Sequence, residues 1–200
     1  MKKILLLLAS TIISVGLYAH ETLRVGIIGL DTSHSTAFTK LINTGNEDWA
    51  KGFRVVAAYP HGSQTIKSSY ERIPKYTEEI QKYGVEIVES IADLLGKVDC
   101  VLLETNDGRL HLEQVMEVFK AGKKVFIDKP VGATLADAIA IYALAEKYGI
   151  KTFSSSALRF SSANVAARSG EYGAIIGADS YSPHKVKPTH PDYCFYGIHG

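Results

Sequence analysis

A doubly wound parallel α/β sheet is the fold class this sequence predicts, and three observations predict it. Short apolar runs alternate with amphipathic segments over most of residues 23–153. One run, 98–103, is apolar almost without interruption, as a strand buried on both faces must be. Another, Val125-Phe126-Ile127, follows the helix-ending Ala121-Gly122-Lys123 and runs into Asp128-Lys129-Pro130. Open sheets of this class take their ligands beyond the carboxyl ends of the strands, so Asp128 and Lys129 are candidates for chemistry. An ordinary charged turn is the plain alternative.

The elements follow in order. Residues 23–29 read as the first strand and 34–43 as a helix; 53–59 is the second strand, and the polar stretch 60–74 reads as a long loop. A helix is expected over 76–83, a short strand over 85–88 and a short helix over 91–95. Strand 98–103, helix 109–121, strand 124–127, helix 135–148 and strand 151–153 complete a Rossmann-type pattern. After Ser154 the character changes. A helix is expected near 158–168, a strand over 173–181, then a Pro/His-rich stretch. This reads as the start of an α+β second domain that the chain does not finish, because one strand cannot make a sheet. The expected organisation is a signal peptide over 1–19, a dinucleotide-type domain over 20–154 and an incomplete second domain over 155–200.

The N-terminus carries Lys2 and Lys3, then apolar residues too few to span a bilayer, then Tyr18-Ala19. That pattern predicts Sec-type export to the periplasm or beyond, with no stable membrane insertion after cleavage. The chain holds 22 basic and 21 acidic residues, net +1. Removing 1–19 takes away two lysines and no acid, leaving a net charge of −1. There is no basic block, so nothing points to nucleic acid. Cys100 reads as a buried thiol; pairing with Cys194 stays open. Neither cysteine, nor His184, His190 and His199, has the spacing of a metal site.

The first strand ends Gly26-Ile27-Ile28-Gly29-Leu30-Asp31-Thr32-Ser33-His34. A dinucleotide turn wants G-x-G-x-x-G, so that backbone amides and a helix N-terminus approach the diphosphate. Aligned on Gly29, the second glycine is Asp31 and the third is His34. Asp31 opposes a phosphate unless it turns away. Thr32 and Ser33 can cap the helix or offer hydroxyls, and His34 can donate to a phosphate or pack on the loop. After the second strand no acid is present to hold a ribose; Gly62 and Ser63 could take a 2′-phosphate, or nothing.

These segments resemble the glucose–fructose oxidoreductase / inositol dehydrogenase family (Gfo/Idh/MocA). The resemblance rests on residues 24–29, Thr105-Asn106, His111, Ala121-Gly122-Lys123 and, most of all, Asp128-Lys129-Pro130, similar to the family's Glu-Lys-Pro. It implies a dinucleotide-binding domain followed by a substrate domain built on an open sheet. It also implies NAD or NADP as cofactor, held by Gly26, Gly29, Asp31, Thr32, Ser33, His34, Thr105, Asn106 and Asp128. Lys129 would hydrogen-bond the reacting hydroxyl beside the nicotinamide, and His199 would be the general base. The family's aspartate four residues before that histidine is Phe195 here. His111, on the first turn of a helix, reads as structural. The expected function is oxidation or reduction of a sugar or polyol, with little turnover from a chain ending at residue 200 and possible self-association in a full-length form. The alternative is a non-redox carbohydrate-binding protein, lyase or isomerase on the same scaffold.

Overall fold

The computed structural model describes residues 22–45 and 48–179. The expected signal peptide, His184, His190, Cys194, Phe195 and His199 lie outside the described residues.

Six parallel strands form one sheet: β1 (Leu23–Ile28), β2 (Phe53–Tyr59), β3 (Glu86–Ile87), β4 (Cys100–Leu103), β5 (Lys124–Ile127) and β6 (Thr152–Phe153). Their order is β3-β2-β1-β4-β5-β6. The chain moves outward from β1 in one direction, then returns to β1's other side and moves outward again. The switch point therefore lies between β1 and β4, and it opens a crevice at their carboxyl ends.

Helices cover both faces, as parallel connections require. Helices α1 (Ser33–Thr44) and α3 (Ile73–Gln81) cover one face. There Val25, Ile27, Val55, Ala58 and Ile80 form the smaller apolar core. Helices α4 (Ile91–Leu95), α5 (His111–Lys120) and α6 (Leu135–Tyr148) cover the other, where Val101, Leu103, Val115, Phe119, Val125 and Ile141 are packed together. Alternate residues of β1 thus feed opposite cores, which is why its buried half reads as continuously apolar. Thr32, Ser90 and Thr134 cap α1, α4 and α6 with their side-chain oxygens. Gly122 takes the left-handed conformation (φ 71°) that ends the α5 connection, as the sequence predicts.

Four details differ from the sequence reading. The stretch 60–74 holds a short helix, α2 (Lys67–Tyr70), and α3 begins at Ile73. Pro74 sits in the first turn of α3, where its missing N–H costs nothing, so it opens the helix rather than ending the loop. The helix expected near 158–168 is two pieces, a 3-10 turn (Ala157–Phe160) and α7 (Ser162–Ser169), separated by extended Ser161. Residues 173–179 form no strand. Cys100 is half-buried rather than fully enclosed, and burial pushes its thiol up. Among the described residues no helix is long and apolar enough to cross a membrane.

Candidate active-site crevice

The backbone turns after β1, β4 and β5 are anchored at the carboxyl edge of the sheet before any side chain acts. Gly29 N–H donates to Tyr59 O at 2.9 Å, and Leu30 N–H to Pro60 O at 3.0 Å, so the β1–β2 pairing continues past the strand ends. Glu104 N–H donates to Ile28 O at 2.8 Å and Asp128 N–H to Leu103 O at 2.9 Å, which extends the β1–β4–β5 ladder in the same way. Gly29 has φ 89°, and a Cβ on it would lie 2.5 Å from Thr105 N. Only glycine fits this turn, for conformation and for space.

Asp31 turns inward. It is fully buried, and its carboxylate accepts from Ser63 N–H (3.0 Å) and Asn106 N–H (3.0 Å). Burial raises its pKa, against the pull of those two amides. A chain of contacts continues from there. Ser63 Oγ donates to Asp107 at 2.8 Å, Arg109 pairs with Asp107 at 2.6 Å and donates to Thr65 at 2.7 Å, and Asn106 Nδ2 donates to Ser69 Oγ at 3.1 Å. Burial alone would raise the Asp107 pKa, but the hydrogen bonds from Arg109 and Ser63 win and hold it low. The loop after β2 is thereby stitched to the loop after β4, across the end of β1. Ser63 is committed to this network, so it is not the 2′-phosphate acceptor the sequence allowed.

The opposite flank is built otherwise. His34, on the first turn of α1, has Nδ1 2.6 Å from Asp128 Oδ2, while Asp128 Oδ1 accepts from Lys129 N–H at 2.8 Å. Glu104, the residue after β4, is fully buried, and neither carboxylate oxygen has a hydrogen-bond partner. Burial raises its pKa well above the usual carboxylate range, and the neighbouring Asp128 and Asp31 push the same way. Thr105 Oγ1, beside Gly29, is likewise buried without a partner. Lys129 is half-buried at the end of β5, ahead of a cis Lys129–Pro130 peptide. His111 is fully buried with both ring nitrogens on backbone carbonyls, Thr105 O at 2.6 Å and Val131 O at 3.2 Å. It is structural, as read from the sequence.

Of the residues expected at a cofactor, Gly26 packs instead against α4: a Cβ there would meet Leu94 and Val98 at 3.1 Å. Asp31 and Asn106 are spent on the stitched loops. Gly29, Thr32, Ser33 and His34 follow β1, Thr105 follows β4, and Asp128 and Lys129 follow β5, all at the carboxyl edge of the sheet. Glu104, at the same edge, is a residue that motif reading missed. A charged residue closing the apolar run 100–103 was the available signal for Glu104.

The turn fits a diphosphate. With Asp31 inside, exposed Ser33 and half-buried His34 stand at the positive end of α1, whose first turn holds no acid of its own.

Comparison with known proteins agrees with this architecture. Residues 23–155 match the GFO_IDH_MocA model, described as an oxidoreductase family with an NAD-binding Rossmann fold. An uncharacterized oxidoreductase of Escherichia coli (strain K12), YhhX, is 34% identical over 98 residues, covering 44% of this chain and 28% of YhhX. Among solved structures, the dehydrogenase MviM of Clostridium difficile superposes with TM-score 0.58 at 20% identity, over 78% of this chain and 45% of its own. Scyllo-inositol dehydrogenase of Lactobacillus casei, solved with NAD(H) and scyllo-inositol, gives 0.56 at 21%, over 76% and 43%. The WlbA dehydrogenase of Bordetella pertussis, solved with NADH and UDP-GlcNAcA, gives 0.58 at 20%, over 76% and 44%. At such identities the structural likeness speaks for the fold, and in each case the match spans under half of the relative's length.

Proposed function

The chain belongs to the GFO_IDH_MocA oxidoreductase family, and from that premise we propose that it is the dinucleotide-binding part of a nicotinamide-linked oxidoreductase acting on a sugar- or polyol-like hydroxyl. The observation that carries the reading is the inward turn of Asp31, which takes its carboxylate off the β1–α1 turn and leaves the first turn of α1 without an acid of its own to oppose a diphosphate. The amides of that turn, with Thr32, Ser33 and Thr105, would hold the cofactor. When bound, a nicotinamide supplies the acceptor for a hydride from the substrate carbon.

The protein's own groups would do the rest. The Lys129 ammonium would hydrogen-bond the reacting oxygen and lower the cost of alkoxide-like charge as the carbon–hydrogen bond breaks. His199 would take the hydroxyl proton, since an imidazole titrates near neutral pH. Relatives solved with scyllo-inositol and with UDP-GlcNAcA support a polyhydroxylated substrate. The lysine-led apolar N-terminus supports export of the chain.

One observation favours a second reading. The stitched loops lie on the flank where an adenosine would rest, and they present no acid to a ribose. On that reading the scaffold handles carbohydrate without a dinucleotide. Titration of the full chain with NADH and NADPH, followed by nucleotide fluorescence, separates the two. Saturable binding is expected; a folded protein that binds neither leaves the non-redox reading.

A further inference from the structure

Among the described residues, Glu104 is the buried acid with neither carboxylate oxygen partnered. A carboxylate with no exposure and no hydrogen-bond partner loses its hydration and gains nothing in return. Burial of an acid is tolerated where a cation or a donor meets it, and neither is a protein group here.

The surroundings point to what would meet it. One ligand atom each from His34, Glu104 and Asp128 can be chosen so that all three lie within 4.8 Å of one another. They come from three separate elements: the first turn of α1, the residue after β4 and the residue after β5. Two of the three are held by the sheet itself, through Glu104 N–H to Ile28 O and Asp128 N–H to Leu103 O. A site on extended strand ends is rigid, as a metal centre requires. Asp128 Oδ1 is occupied by the Lys129 amide, which orients Oδ2 toward His34. This backbone bond is the outer-shell support that ligating carboxylates use. Only the His34 side opens to solvent, its side chain 40% exposed against 6% for Asp128.

We propose that His34 Nδ1, a Glu104 carboxylate oxygen and Asp128 Oδ2 bind a divalent first-row transition cation. One imidazole nitrogen with two carboxylate oxygens suits Zn²⁺, Co²⁺ or Mn²⁺ better than the all-oxygen sets of Ca²⁺ and Mg²⁺ or the sulfur sets of Cu(I). Three protein donors leave at least one coordination position for an external oxygen ligand, the pattern of a working site rather than a closed structural one. That position faces the mouth beside His34. The ion would take the place of the direct His34–Asp128 contact and neutralise the two acids. The inference uses none of the groups assigned to the dinucleotide except His34 and Asp128, and it stands whether or not a nicotinamide binds.

The test uses the full chain, stripped with a chelator and titrated with Co²⁺ alone. The expected result is one equivalent bound with visible ligand-field absorption, displaced by Zn²⁺. Glu104→Gln and His34→Gln should each weaken binding by at least about tenfold with an unchanged circular-dichroism spectrum. His34 is half-exposed, so H34Q decides the matter if E104Q does not fold. A folded wild-type chain without saturable Co²⁺ absorption overturns the proposal, as do folded variants that bind like the wild type. Saturable NADH binding by a chain with no Co²⁺ site would overturn this inference and leave the nicotinamide reading intact. A Co²⁺ site in a chain that ignores NADH would do the reverse.

Discussion

Asp31 and Glu104 are both fully buried acids at the same edge of the same sheet, and the protein treats them in opposite ways. Asp31 receives two backbone amides and ties three loops together. Glu104 receives none. The β2/β4 flank around Asp31 is a closed network in which Ser63, Asp107, Arg109 and Thr65 satisfy one another. The β4/β5 flank around Glu104 holds unspent polar atoms next to Asp128, His34 and Thr105. Burial alone therefore does not mark a functional acid. The distinction lies in whether the lone pairs have partners, because an unpaired buried group is costly and survives only where something outside the chain repays it.

The comparison can be broken first on the closed side. A Cβ at Gly62 would fall 2.2 Å from Asp31 Oδ2. Gly62→Ala must push the carboxylate off its two amides, and a loss of about 3 kcal/mol is expected in urea unfolding, from overpacking at a site that cannot relax. An unaffected variant would mean that the stitched loops are loose.

The smallest expected effect lies away from both acids. The Arg24 guanidinium and backbone amide beside Asp99 hold its carboxyl down at about 2. Its folded value lies below its unfolded one of about 3.9, so its contribution is full above pH 4 and is lost as pH falls toward 2. The pair is exposed, and the contribution stays below about 1 kcal/mol. Urea unfolding at pH 5 and pH 2.5 should show a slightly smaller acid loss for Asp99→Asn than for the wild type.

Most of the fold was legible in the sequence because it rests on local signals. The run 98–103 could be read as a strand, though its Cys100 and Leu102 face is only half-buried, and Gly122 as a helix end, without knowing any partner. The α3 start falls inside the expected 60–74 loop, because a proline in a first turn opens a helix and leaves the polar stretch looking like loop. The site was less legible, since its meaning lies in pairings across the chain. The sequence set the condition that Asp31 must turn away, but the amides that let it do so belong to Ser63 and Asn106, in other loops. His34 reads as a phosphate donor or a packing residue until the β5 end brings Asp128 to within 2.6 Å. Glu104 carries no motif; its only sequence signal is a charge closing an apolar run, and its want of a partner gives that signal meaning.

The most direct test sets Asp31→Ala beside Glu104→Gln in urea unfolding of the metal-free chain. Asp31→Ala strands two buried amides, each costing about 1–3 kcal/mol, and should lose at least about 2 kcal/mol. Glu104→Gln removes a buried acid that no protein group holds and that lies near Asp128 and Asp31, so it should lose nothing and can gain stability. That divergence is the predicted result. Equal and large losses in both would contradict the account, since Glu104 would then be held by the fold itself rather than kept for a ligand.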